Sequence, residues 1–248
     1  MKNLASLGIA TKSQKTNHGG RILDTKRPLI IVDIDNTILN NDKRKQAILK
    51  ERLERKIGLS EIRREYNLTR ILADKKVKEQ FWHEFFSGDY LSYDMPVRSA
   101  ATVLSHLARQ YDIAYVTGRH DDPEHNDSMR QATINSLRKY GFPMNRRRIE
   151  LYFKDKRATP DSVFKENVIK SLVAGRREVW GIGDTPEDLK LYSIFGVRPI
   201  GILTPYFDSE QLARGLPQRP VIANNWSKVR EAIRLERLKS PSRGQAAS

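Results

Sequence analysis

Short apolar runs that stop abruptly at polar residues, each followed by a stretch with helical spacing, recur along this 248-residue chain and leave few architectures open to it. The first run is LIIV at 29–32, bounded by Pro28 and by DIDNT at 33–37. DIAYVTGR (112–119), IELYF (149–153), EVWGIGD (178–184), RPIGIL (198–203) and PVIAN (220–224) repeat the pattern. Between them lie amphipathic stretches: SAATVLSHLARQY (99–111), SMRQATINSLRKYG (128–141) closing on Gly141, a helix with Thr159 as N-cap and Pro160 in its first turn, and PEDLKLYSIFG (186–196). NNWSKVREAIRLERL (224–238) closes the series. Strands and helices alternating at these lengths predict an α/β fold with a doubly wound, mainly parallel sheet and helices on both faces.

One segment breaks the rhythm. From 41 to 93 the apolar residues Ile48, Leu49, Leu53, Ile57, Ile62, Ile71, Leu72, Val77 and Phe81 recur at helical spacing among charges, predicting two or three short helices broken near Gly58 and Asn67. The core is therefore expected over 28–40 and 94–238, with this helical insert between. Residues 1–27 read as a basic arm, and 239–248, small and polar, as a disordered tail.

The chain has no cysteine, which excludes thiol nucleophiles, disulfide scaffolds and cysteine-ligated metal. No apolar run approaches the roughly 20 residues of a membrane span. The first residues lack the hydrophobic region and cleavage site of a secretory signal, so no membrane association and a cytoplasmic location are expected. With 45 Lys+Arg against 30 Asp+Glu, a net charge of +15 attracts phosphorylated metabolites, nucleic acid or acidic proteins. The charge is spread over Lys12–Arg27, the stretch RKQAILKERLERK (44–56), Arg146–Arg148 and the last helix, and both a solvated surface and a nucleic-acid footprint stay open.

In a parallel sheet of this kind ligands bind beyond the carboxyl ends of the strands. There the sequence has Asp33-Ile34-Asp35-Asn36-Thr37, Thr117-Gly118-Arg119 and Gly183-Asp184-Thr185-Pro186-Glu187-Asp188, with Lys165 on the helix after the third strand. Singly, these residues read as turn formers, a helix cap, a strand exit and a solvated lysine. Together they leave unexplained why acids crowd two strand ends. Converging carboxylates repel one another unless a cation sits among them, and hard oxygen ligands select magnesium.

In order along the chain, Asp33-x-Asp35-x-Thr37, Thr117, Lys165 and Gly183-Asp184-x-x-x-Asp188 resemble the four motifs of the haloacid dehalogenase-like superfamily. The resemblance spans about 28–235 without the insert. It implies a Rossmann-like core, a magnesium ion and a phosphoaspartyl intermediate. Asp33 would be the nucleophile and hold magnesium with the main-chain carbonyl of Asp35. The Asp35 carboxyl would protonate the leaving alcohol and later deprotonate water. Thr117 would donate to the transferring phosphoryl, Lys165 would neutralise it, and Asp184 and Asp188 would complete the metal site. An acid at 35 favours phosphotransfer over halide displacement. Lys154, Lys156 and Lys170 compete with Lys165 for the lysine role.

The insert corresponds to the superfamily's C1 cap, a lid that excludes water and reads the leaving group. Its aromatic run Phe81, Trp82, Phe85, Phe86, Tyr90 and Tyr93 reads mainly as the cap's own core, with stacking on a base as the alternative. Gly118, Arg119 and His120 are candidate substrate contacts, and the segment 119–127, rich in metal-ligating types, reads as a polar substrate-facing loop ahead of a second metal site. A Thr-Gly-Arg exit before a polar loop and an Arg-containing helix is similar to the phosphatase domain of phage polynucleotide kinase-phosphatase. No GxxxxGK[ST] loop is present to suggest a kinase. The readings that follow are a magnesium-dependent phosphatase for a small phosphorylated metabolite, sugar phosphate or nucleotide; a DNA or RNA end-processing phosphatase; a non-catalytic basic nucleic-acid-binding protein; and, least favoured, a phosphomutase.

Overall fold

The structure, a computed structural model, describes residues 27–122, 129–144 and 148–239. Its first element is β1 (Leu29–Val32), buried throughout. A tight turn follows, with Asn36 at φ 58° and the amides of Ile38 and Leu39 each 3.0 Å from the carbonyl of Ile34. Asparagine tolerates this left-handed backbone better than most residues. β2 (Leu39–Asn40) then leads out of the core, and its antiparallel partner β3 (Met95–Pro96) leads back. The intervening segment carries α1 (Asp42–Glu51), α2 (Leu59–Ile62), α3 (Lys75–Phe85) and a 3-10 turn at Leu91–Tyr93. Ile48, Leu49, Ile62, Leu68, Leu72, Phe81 and Phe85 give this segment an apolar cluster of its own.

Beyond β3 the chain alternates: α4 (Ala100–Leu107), β4 (Asp112–His120), α5 (Met129–Lys139), β5 (Ile149–Lys154), α6 (Asp161–Val173) and β6 (Val179–Gly183). α7 (Pro186–Ile194), β7 (Arg198–Ile202), α8 (Ser209–Ala213), β8 (Val221–Ala223) and α9 (Trp226–Lys239) complete it. The main sheet has the order β5-β4-β1-β6-β7-β8 with every pairing parallel, as the doubly wound expectation required. Because strand residues alternate faces, Ile30 and Val32 join Tyr115, Ile182 and Trp226 in one apolar layer, while Leu29 and Ile31 join Val116, Ile169 and Leu189 in the other. β1 lies between β4 and β6, so Asp33 and Asp184 follow neighbouring strands and Thr117 stands just beyond the β1–β4 pairing, all on the same edge of the sheet.

Three local features differ from expectation. α6 starts one residue late: Pro160, not Thr159, is the N-cap, because the first helical bond runs from Phe164 to the Pro160 carbonyl while that of Thr159 accepts from Lys154 Nζ at 3.1 Å. The β2–β3 pair and α8 carry too few residues to show a hydrophobic period. Of the basic arm only Arg27 is described, of the tail only Lys239, and Arg146 and Arg147 lie outside the described residues. Among the described residues no helix is long and apolar enough to cross a membrane.

Candidate active site

Asp33, Asp184 and Asp188 come together where β1 and β6 end, all buried, with one carboxylate oxygen from each within 4.8 Å of the others. The first two follow buried strands directly. Asp188 stands in the first turn of α7, where its amide donates to Thr185 Oγ1 at 3.2 Å, so the helix cap and the acid cluster share this residue. Gly183 makes room for it, since a Cβ there would lie 2.8 Å from the Asp188 Cβ. Thr37 Oγ1 sits between Asp33 and Asp184, 3.2 and 3.0 Å from one oxygen of each. Lys165 reaches in from α6 and donates to Asp33 Oδ1 and Asp188 Oδ1, 2.7 Å each.

Burial, with the Asp188 and Asp35 charges adding to it, pushes the Asp33 carboxyl up to about 7 against the pull of Lys165. Burial and the neighbouring Asp33 and Asp188 hold Asp184 well above the usual carboxylate range. Lys165 moves the other way: burial opposes its charge, but Asp188 and Asp33 outweigh that and keep it firmly protonated. Asp184 Oδ2 is buried and has no hydrogen-bond partner. Three crowded, hard, desolvated oxygens with one of them unsatisfied are the donor set that suits a small divalent cation. The residues therefore fit magnesium, which Asp33, Asp184 and Asp188 would hold.

Asp35 is placed differently. Arg119 grips its carboxylate with two parallel bonds, Nε to Oδ2 and Nη2 to Oδ1 at 2.9 Å each, and Arg44 of α1 and Asn41 also donate to Oδ1. Burial works against its charge, yet the two guanidinium groups hold its carboxyl well below the usual range. Both arginines also pair with Asp94, Arg44 at 3.1 Å and Arg119 at 2.6 Å, and Arg119 donates to Thr133 as well. The Asp35 carboxylate is thus committed to arginine, which leaves its main-chain carbonyl as the group it can offer an ion.

Thr117 is buried at the end of the regular β4 pairing, where its hydroxyl accepts from the Arg119 amide at 3.2 Å. Gly118 lines the cleft, and a Cβ on it would collide with the Asp161 carboxylate. Of the expected substrate contacts, Arg119 turns its guanidinium to Asp35 and Asp94, and His120 is buried with its ring centroid 6.4 Å from that of Phe86. Residues 123–128 of the polar loop lie outside the described residues. Lys165, rather than its competitors, reaches the acids: Lys154 is tied to Asp161 at 2.6 Å, and Lys156 and Lys170 are exposed.

No family model matches the sequence, and no curated protein matches it. Solved structures do. A haloacid dehalogenase-like family hydrolase from Streptococcus pneumoniae superposes with a TM-score of 0.60 at 13% identity, covering 84% of this chain and 98% of its own. A predicted phosphatase from Clostridium acetobutylicum gives 0.58 at 13%, covering 85% and 99%. A HAD-superfamily hydrolase of subfamily IA from Geobacter sulfurreducens gives 0.53 at 15%, covering 86% and 98%. The fold is that of the haloacid dehalogenase-like hydrolases.

On this haloacid dehalogenase-like fold the helical segment 41–93 stands over the acids, and the two parts enclose a cleft of about 910 Å³. Asp33, Asp184, Asp188 and Lys165 form its floor; Tyr66, Trp82, Phe85 and Phe86 are among the residues that line it from the helical side. The aromatic run therefore divides. Phe81 and Tyr90 are buried in the segment's own core, while Trp82 and Phe86 face both core and cleft. Sequence reasoning gave no role to Arg44, Lys45, Asp94 or Thr37. A signal was available for two of them: Arg44 and Lys45 stand four residues before Ile48 and Leu49, on the apolar stripe of α1.

Proposed function

We propose that this chain is a magnesium-dependent phosphate-monoester hydrolase that works through a phosphoaspartate on Asp33. The observation that carries the reading is the ammonium of Lys165 bridging Asp33 and Asp188 at 2.7 Å beside an Asp184 oxygen without a partner. Asp33 Oδ attacks phosphorus, the P–O bond to the leaving group breaks, and the phosphoryl passes to the carboxylate; water then attacks phosphorus, the P–O bond to Asp33 breaks, and inorganic phosphate leaves with the carboxylate regenerated. Asp33, Asp184 and Asp188 would hold magnesium, which would supply positive charge against the crowded carboxylates. Lys165 restrains the nucleophile and faces the transferring oxygens. Thr117 supplies a hydroxyl on the neighbouring strand end.

Asp35, held ionised by Arg119 and Arg44, stands in the form that can accept the proton of the hydrolytic water, although the same clamp makes it a weak base. Donating a proton to the leaving oxygen requires it to be protonated against both guanidinium groups. An acid at this position supports phosphotransfer rather than halide displacement. The net charge of +15 keeps phosphorylated nucleic-acid ends among the substrates to be tested.

The test is a phosphatase screen with magnesium over nucleotides, sugar phosphates and 3′- or 5′-phosphorylated oligonucleotides, run beside Asp33→Asn. The wild type is expected to release phosphate from at least one class, and the variant to lose activity by on the order of a thousandfold or more. Equal inactivity of both on every class would overturn the reading.

A further inference from the structure

Lys45 is a cation of the helical segment that the mechanism above does not use. It projects from α1 into the cleft, and its residue is only 2% exposed. Its ammonium donates to the Tyr66 carbonyl and the Tyr206 hydroxyl, both at 3.2 Å. Both acceptors are neutral. It also lies 4.5 Å from the centroid of the Tyr206 ring and 5.3 Å from that of Tyr66. Tyr206, from the loop after β7, is itself fixed by donating to Asp42, whose other oxygen accepts from Arg63 at 2.6 Å. An ammonium has three N–H donors, and this cage accounts for two.

Buried cations are usually paired, so a lysine held between neutral partners at the mouth of an acid cluster has no structural explanation in pairing. Burial pulls its ammonium down to about 8, against the fields of Asp42, Asp35 and Asp184. Charge balance suggests the missing partner. Around the floor, five carboxylates (Asp33, Asp35, Asp94, Asp184, Asp188) meet three cations (Arg44, Arg119, Lys165). When all are ionised, a divalent ion neutralises the set, and a phosphate-ester dianion then brings two unmatched negative charges.

Resting on the phosphatase reading, we propose that Lys45 is the cap-borne phosphate-recognition residue: its third N–H donates to an oxygen of the bound phosphate across the cleft from Lys165. Two ammonium groups, one from each side of the cleft, then bracket the dianion. The segment 41–93 thereby senses the phosphate itself and not only the leaving group. Tyr66 and Tyr206 aim the ammonium without touching substrate.

The full chain loaded with magnesium is titrated with inorganic phosphate by calorimetry, as wild type, Lys45→Met, Lys45→Gln and Lys50→Met, with p-nitrophenyl phosphate kinetics on the same samples. Lys45→Met and Lys45→Gln are expected to weaken phosphate binding roughly 10- to 100-fold and to raise KM more than they lower kcat. Lys45→Gln keeps a donor for the Tyr66 carbonyl and guards against a folding defect in the first variant. Lys50→Met, which removes the same charge from the exposed face of α1, is expected to stay within about threefold of wild type. Wild-type phosphate affinity in both Lys45 variants, or an equal loss in Lys50→Met, would overturn the proposal while leaving the phosphatase reading standing. A wild type that neither binds phosphate nor cleaves any ester would overturn both.

Discussion

At Asp184 a buried carboxylate oxygen has no hydrogen-bond partner, and burial pushes the carboxyl of Asp33 beside it up to about 7 from its ordinary 3.8. A carboxyl raised on folding binds more protons in the native than in the unfolded state between those values, so its contribution to stability falls as pH rises from about 4 to 7. A bound divalent ion replaces the proton, so its stabilisation grows across the same window. Millimolar magnesium is expected to raise Tm more at pH 7.5 than at pH 5, and Asp184→Asn to raise the metal-free Tm while cancelling the increment. Equal increments at the two pH values in a thermal scan would contradict this. Asp35 leads to a second expectation. Because Arg119 and Arg44 oppose its protonation, esters with good leaving groups need its help least; aryl phosphates are expected to exceed alkyl phosphates by about tenfold or more in kcat. A rate independent of leaving-group pKa would argue against the clamp governing this step.

Among the elements, α1 shows where the sequence is misleading. RKQAILKERLERK looks like a charged face, yet Arg44 is fully buried, its guanidinium carbon 3.9 Å from the Phe85 ring centroid, and bonded to Asp35 and Asp94. Its partners lie nine residues before it and fifty after it, separations that no local pattern reports. Arg44 ties α1 to the turn after β1 and to the return of the chain before β3. Arg44→Met leaves Asp35 and Asp94 to share the Arg119 cation and is expected to cost about 3–5 kcal/mol in chemical denaturation. Arg44→Lys recovers little of this, because the shorter lysine lacks the planar guanidinium whose separate nitrogens reach Asp35 and Asp94 while its carbon lies over the Phe85 ring. A loss below about 1 kcal/mol in Arg44→Met would mean the quartet is not holding the segment in place.

For the molecule as a whole, the parallel sheet sets the chemistry by bringing three strand ends to one edge, while the charge of +15 acts at longer range. A field of that sign speeds the encounter with anions and is screened beyond about 8 Å at physiological salt. Raising salt from about 50 to 500 mM is expected to lower kcat/KM for a small phosphate ester several-fold with kcat nearly constant. A far steeper fall for a phosphorylated oligonucleotide would identify strand binding through many phosphate contacts. No salt dependence for either would show that the spread of charge has no part in capture.

Apolar runs at strand length, the helical spacings between them and the acids after the first and fourth core strands were enough to read the parallel sheet and to point to Asp33, Asp184 and Asp188, while Lys165 was singled out among its neighbours by the resemblance to the haloacid dehalogenase-like motifs. These signals are local: a buried strand needs consecutive apolar residues, and an edge carboxylate follows it directly. Whether a charge faces water or the interior depends on what other parts of the chain bring to it. The binding of Asp35 to two arginines, the caging of Lys45 by two tyrosines and the burial of His120 all follow from packing across the segment 41–93 and the core. Those contacts join residues far apart in the chain, and three-dimensional packing alone brings them together.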